Sequence, residues 1–278
     1  NAVLQQVKRL FNAKKAGHTG SLDPLATGML PICFGEATKF CQYLLDADKC
    51  YEVTGLLGIK TNTGDAMGEV ISQVESFDVP LPQLQEVLSK FKGRIKQVPS
   101  MFSALKHQGT PLYKYARAGI HIEREAREIT IHSLELNQFD GQHMDLTVSC
   151  SKGTYIRNLV EDIGEQLATG AHVTKLHRTY TAGFENEPMF TLEDLTLQSP
   201  NDLAAKLLPI DRAVSYLPQV SIDSEAVQHL RQGKAITWPS QEDEMIGCVR
   251  LYENGDQFIG LGERGVAGLL KVKRLLAE

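Results

Sequence analysis

The chain has no apolar run approaching the roughly 18 residues that a membrane-spanning helix requires, which argues against a transmembrane role. Its five cysteines, Cys33, Cys41, Cys50, Cys150 and Cys248, are odd in number and form no C-x-x-C. That argues against a disulfide framework or a zinc ribbon and fits a reduced, cytoplasmic protein. None of the five stands in a His or Asn pattern that marks a nucleophile. Familiar phosphate loops are also missing. "GHTGSLDPLATG" lacks the Gly-Lys-Ser/Thr ending of a P-loop, and no G-x-G-x-x-G follows a strand. His172 and His177 are five apart, off a common helical face and without a carboxylate at zincin spacing. "TNTGDAMG" has too few acids for a calcium loop. These absences leave no expected cofactor and no expected metal.

What is present is charge, unevenly placed. The net charge is −5, yet residues 1–22 carry Lys8, Arg9, Lys14 and Lys15 with no acid. Residues 90–127 carry nine Lys or Arg against Glu123 and Glu125, while residues 179–247 are strongly acidic. A charge run is ordinarily a solvated face. Two concentrated basic stretches, one beside a glycine-rich loop, also suit a polyanion, because the local field decides contact and distant charge is screened.

At 278 residues the chain has room for one large domain and a small one. It opens on Asn1 with an amphipathic pattern rather than a secretory leader, and residues are expected to precede it. Helical spacing predicts helices over 3–13, 36–49, 80–93 and 154–171, the last burying Ile156, Leu159, Val160, Ile163 and Leu167. Alternation predicts strands over 50–60, 144–151 and 173–184, and "GMLPICFG", residues 28–35, reads as a short buried strand. Residues 97–127 are irregular, basic and aromatic, and read as an excursion from the core. After Asp211 short strands follow, including "MIGCVRLYE", with one helix, and a domain boundary is placed near 212–217.

Two stretches carry chemistry. In "AGHTGSLDPLATG", residues 16–28, an aspartate precedes a proline in a bent loop of small residues. One reading is a helix start with Asp23 as N-cap and Pro24 as first helical residue. The other is a reactive carboxylate on a backbone that a large ligand approaches closely, with His18 touching that ligand. In "SCSKGTYIRNLVEDIG", Arg157 falls in the first turn of a helix, where a cation opposes the helix dipole. Such an arginine calls for an anionic partner, and Asp23 or a phosphate would serve. From the residues alone, Tyr51 and Tyr155 read as ordinary core aromatics.

In order and spacing, "GHTGSLDPLATGMLP", "YEVTGLLGIKTNTGDAMG", "VPSMFSALKHQGTPLYKYAR" and "SKGTYIRNLVEDIG" resemble the bacterial TruB-type tRNA pseudouridine synthases. The likeness weakens after residue 212. It implies a mixed α+β pseudouridine synthase fold with a long, largely antiparallel sheet flanked by helices over 1–212. Residues 97–127 would be an RNA-clamping insertion, and 213–278 a small β-rich PUA-like domain. The implied reaction is isomerisation of a uridine in the TΨC loop of tRNA, position 55, to pseudouridine, without cofactor. The implied catalytic residues are Asp23, Tyr51 and Arg157. His18, Thr19, Gly20, Tyr155, Leu176, Lys106, Lys114 and Arg117 would meet the RNA. The family's opening strand and Lys-Pro-x-Gly motif would precede Asn1. The expected partner is the tRNA T-arm, bound by a monomer. A non-catalytic RNA-folding factor and an enzyme directed to ribosomal RNA are the alternatives; the lack of long lysine-rich tails speaks against the second.

Overall fold

A computed structural model describes residues 1–238, 247–265 and 268–277. The expected start of the "MIGCVRLYE" strand, Met245 and Ile246, lies outside the described residues. Among the described residues no helix is long and apolar enough to cross a membrane. Contacts divide the chain into two compact units that do not follow chain order. One gathers Asn1–Gly20, Leu30–Leu45 and Pro188–Glu278; the other holds Ser21–Met29 and Asp46–Glu187.

The second unit is built on six strands: β1 (Thr27–Gly28), β2 (Lys49–Leu57), β3 (Gly93–Gln97), β4 (Arg127–Phe139), β5 (His143–Cys150) and β6 (Ala171–Thr181). Their order across the sheet is β1-β6-β2-β5-β4-β3, antiparallel throughout except for β1 beside β6. Side chains alternate along β2 and β5, so one face carries Val53, Leu57, Met144, Leu146 and Val148, all buried. Helices α1 (Leu81–Lys90) and α3 (Ile156–Gln166) contribute Leu84, Val87, Leu159, Val160 and Ile163 to the same core. Leu159, Val160 and Ile163 are completely buried, each stabilising the fold by about 2 kcal/mol. That outweighs the few tenths to about 1 kcal/mol that a cation at a helix start costs. Arg157 is held in place by the apolar side of its own helix.

The excursion leaves the sheet edge at Gln97 and returns at Arg127, which are paired residues of β3 and β4. It contains a small hairpin, Lys106–His107 against Thr110–Pro111, turned by Gln108 and Gly109 at positive φ. Helix α2 (Leu112–Arg117) follows.

The first unit places an amphipathic helix, Ala2–Leu10, so that Val7 packs with Leu195 and Leu203. Among the described residues its sheet has five strands, starts at Gln219 and packs around a separate core of Val220, Val227, Leu230, Leu251 and Ile259. Lys39 donates to the Leu275 carbonyl and Glu36 accepts from Ala277 N–H, tying the 35–45 segment to this sheet.

One expectation and one of the two readings of Asp23 are corrected. The helix predicted over 36–49 is a 3-10 turn, Gly35–Phe40, followed by a short helix, Cys41–Leu45. Only Phe40 and Leu44 are buried there, too narrow a stripe to hold a longer helix, and Lys49 already belongs to β2. No helix follows Asp23 either. The carbonyl of Asp23 accepts from Ala26 N–H at 2.9 Å, closing a turn over Pro24 and Leu25.

Candidate active site

The site is assembled around the guanidinium of Arg157, whose side chain is 4% exposed while that of Asp23 is 35% exposed. Arg157 Nε donates to Asp23 Oδ2 at 2.8 Å and Nη2 donates to Oδ1 at 3.1 Å. This two-pronged geometry fixes the carboxylate in direction. The remaining donors meet backbone: Nη1 reaches the Thr63 carbonyl at 2.6 Å and Nη2 the Phe102 carbonyl at 3.0 Å. The start of α3 is fixed by Gln97, which accepts from Tyr155 N–H at 2.8 Å and donates to the Tyr155 carbonyl at 3.1 Å.

A second carboxylate, Asp65, lies 3.8 Å from Arg157 Nε and is 6% exposed. It accepts from Thr63 Oγ1 and from Met67 N–H. Its turn is pinned to β6 by Val173 N–H on the Gly64 carbonyl and Ala66 N–H on the Val173 carbonyl. Sequence reasoning reads "TNTGDAMG" as a turn alone. The signal it carries, a lone acid between glycines, resembles that of Asp23.

Tyr51 projects from β2 opposite Arg178 of β6, and the Arg178 side chain hydrogen-bonds its phenol. Burial pushes the phenol above its ordinary value, with the Asp23 charge adding to it, so Tyr51 is neutral near pH 7. Arg178, 1% exposed, also escapes sequence reasoning. Its Nε donates to the Met29 carbonyl at 2.6 Å, and its own carbonyl accepts from Met29 N–H. The approach works because residue 28 is glycine. Gly28 sits at φ +100°, where a Cβ would stand 2.2 Å from the Arg178 carbonyl oxygen. The exit of the aspartate loop and Tyr51 are therefore anchored to one buried arginine. Leu176 packs opposite Val53 and lines a groove of about 620 Å³ that Leu25 and Thr27 reach from the aspartate loop.

Comparison with known proteins gives this geometry a context. Residues 8–156 match the TruB family pseudouridylate synthase (N terminal domain). Residues 157–215 match the tRNA pseudouridylate synthase B C-terminal domain, and residues 218–276 the C-terminal part of pseudouridine synthase II TruB. The chain belongs to the TruB family. It is 59% identical over 277 residues to the tRNA pseudouridine synthase B of Legionella pneumophila strain Philadelphia 1, covering 100% of this chain and 91% of that one. It is 53% identical to the tRNA pseudouridine synthase B of Tolumonas auensis, covering 99% and 88%. Among solved structures, a Cbf5-Nop10-Gar1 complex contains a chain similar at TM-score 0.74 and 26% identity, covering 98% of this chain and 80% of that one. The TruB-family chain is thus an isomerase that converts uridine in tRNA to pseudouridine.

The other residues singled out in this TruB-family sequence have definite places. Lys106, Lys114 and Arg117 lie on the excursion, whose first turn is docked on Arg157 through Phe102; Lys106 and Lys114 are exposed and Arg117 is exposed beside them. Arg117 also lies over the Tyr113 ring, 5.4 Å from its centre. Tyr155 is half-buried at the start of α3. His18, Thr19 and Gly20 belong to the first unit. There Gly20 N–H donates to His18 Nδ1, and the fully buried Thr19 donates its hydroxyl to the Pro31 carbonyl.

Glu161, one helical turn beyond Arg157, presses on Gly64 of the Asp65 turn, with Oε2 2.9 Å from where a Cβ would stand. Burial pushes its carboxyl up to about 7; Asp162 and Glu165 reinforce this, while Lys60 and Arg157 oppose it. Asp162 is pushed up to about 6 by the same cause. A raised carboxyl binds its proton more tightly in the folded state. Its contribution to stability is therefore complete below the unfolded value near 4.5 and is lost as pH rises through about 7. Glu161→Gln is expected to melt higher than the parent at about pH 8.5, by on the order of 1–2 kcal/mol, and to match it near pH 5. Thermal unfolding at the two pH values checks this; a variant less stable at the higher pH contradicts it.

Proposed function

We propose that this isomerase acts on uridine 55 in the TΨC loop of tRNA and that Asp23 is the carboxylate that reacts. The observation carrying the reading is the two-pronged pair: a buried guanidinium aims a carboxylate that remains one-third open to solvent. Ionised and oriented, Asp23 can attack C1′ of the ribose, attack C6 of the pyrimidine, or take the C2′ proton. In each case the N1–C1′ bond breaks, the base turns, and a C5–C1′ bond forms. The C5 proton leaves and N1 gains one, so no atom is gained or lost. Neutral Tyr51 packs against the base, with its hydroxyl held by Arg178, and Leu176 supplies apolar packing.

A uridine inside a folded loop is reached only after it is flipped out, at a cost of a few kcal/mol of lost stacking. His18 is suited to fill or stack in the vacated place, with Thr19 and Gly20 shaping its backbone. Tyr155, Lys106, Lys114 and Arg117 fit a clamp on the T-arm phosphates, joined to the reacting centre through Phe102 and Arg157. Residues 1–212 form the catalytic part in this reading and 213–278 a PUA-like RNA-binding domain. The enzyme works as a cytoplasmic monomer.

Asp23→Asn is expected to abolish pseudouridine formation in single turnover while leaving tRNA affinity within about tenfold. Arg157 keeps its carbonyl partners and Asp65, so the variant folds. A variant that still forms pseudouridine rejects the role. Replacing Lys114 and Arg117 with alanine should lower the salt dependence of tRNA binding by roughly 0.7–0.9 in log–log slope for each phosphate the protein no longer neutralises. An unchanged slope removes the excursion from the interface.

A further inference from the structure

A pair of thiols lies within the first unit. The strands Ala16–His18 and Ile32–Phe34 form an antiparallel ribbon in which Gly17 is the direct partner of Cys33. Directly opposed residues project on the same face of such a ribbon, and Gly17 leaves its place there empty. Cys41, at the start of the Cys41–Leu45 helix, occupies that space: its Sγ lies 3.0 Å from where a Gly17 Cβ would stand. Its sulfur is thereby brought against Cys33, and the two side chains are hydrogen-bonded.

The two thiols are not equivalent. Cys33 is buried and Cys41 is partly exposed. The hydrogen bond from Cys33 lowers the Cys41 thiol below its ordinary value, and the charge of Lys15 lowers it further. The same bond, with burial, pushes Cys33 up, so that Cys33 keeps its proton. Burial raises Cys150 and Cys248 instead. A partly exposed thiol whose ionisation is eased, backed by a buried thiol, is the arrangement that thiol oxidation chemistry requires.

We propose that Cys33 and Cys41 are an oxidisable dithiol that a hydroperoxide converts to an intramolecular disulfide. The Cys41 thiolate attacks one peroxide oxygen and the O–O bond breaks, giving a sulfenic acid while the other oxygen leaves as hydroxide or water. The Cys33 sulfur then attacks the sulfenic sulfur and gives up its proton. The S–O bond breaks, hydroxide leaves, and that proton completes a second water. Two electrons pass from the thiols to the peroxide, and an external thiol reverses the bond by exchange.

The test uses the intact reduced protein and hydrogen peroxide, with free thiols then blocked and the protein digested with trypsin without reductant. Trypsin cuts after Lys15, Lys39 and Lys49, so the disulfide joins peptide 16–39 to peptide 40–49. The expected result is that linked pair by mass, absent after treatment with dithiothreitol. In Cys33→Ser, Cys41 instead gives a dimedone-trapped sulfenic acid and at least about tenfold more sulfinic acid than the parent. Unmodified Cys41, Cys41 joined to another cysteine, or equal over-oxidation of Cys41 in parent and variant overturns the proposal.

Discussion

A single guanidinium sets the geometry of the candidate site. Arg157 takes its charge out of water, and a buried charge is tolerated only where hydrogen-bonding or ionic partners surround it. Asp23, Thr63, Phe102 and, at longer range, Asp65 supply them. They come from the aspartate loop, the turn after β2 and the basic excursion, segments distant in sequence that meet on one side chain of α3. The burial of Leu159, Val160 and Ile163 keeps that helix, and so the meeting point, from moving. The consequence for Asp23 is chemical: it is paired with a cation and directed by two hydrogen bonds, yet still reachable.

A second buried arginine plays a parallel part. Arg178 clamps the exit of the aspartate loop at Met29 and holds the phenol of Tyr51. The two arginines approach the candidate site from α3 and from β6, fixing the carboxylate and the aromatic ring separately. In the proposed reading, this arrangement preorganises the groups around developing charge, so that the protein need not rearrange.

How much of this is legible in the chain depends on whether a signal is local. Asp23 stands out because an aspartate before proline, among glycines, has few structural uses. Arg157 stands out because a cation opposes the dipole at a helix start. Asp65 and Arg178 give weaker signals, since a turn acid and an inward arginine on a strand acquire meaning only from partners far away in sequence. The long strand β4 escapes notice for a different reason. Ile129 and Ile131 point inward, but an irregularity between Ile131 and Ser133 shifts the register, so Leu134 and Leu136 continue on the other parity. A period of two cannot be followed across such a bulge. In β6 a similar shift between Val173 and Lys175 carries Leu176 inward. The antiparallel core is readable wherever alternation is unbroken.

The most direct test of the central claim is the single-turnover rate of pseudouridine formation by Arg157→Lys on an unmodified tRNA transcript, with binding measured alongside. Lysine keeps the charge and loses the fork. The account predicts a rate lower by at least about a hundredfold with tRNA affinity within about tenfold. A rate close to that of the parent would show that orientation of Asp23 by the guanidinium is not what the chemistry depends on.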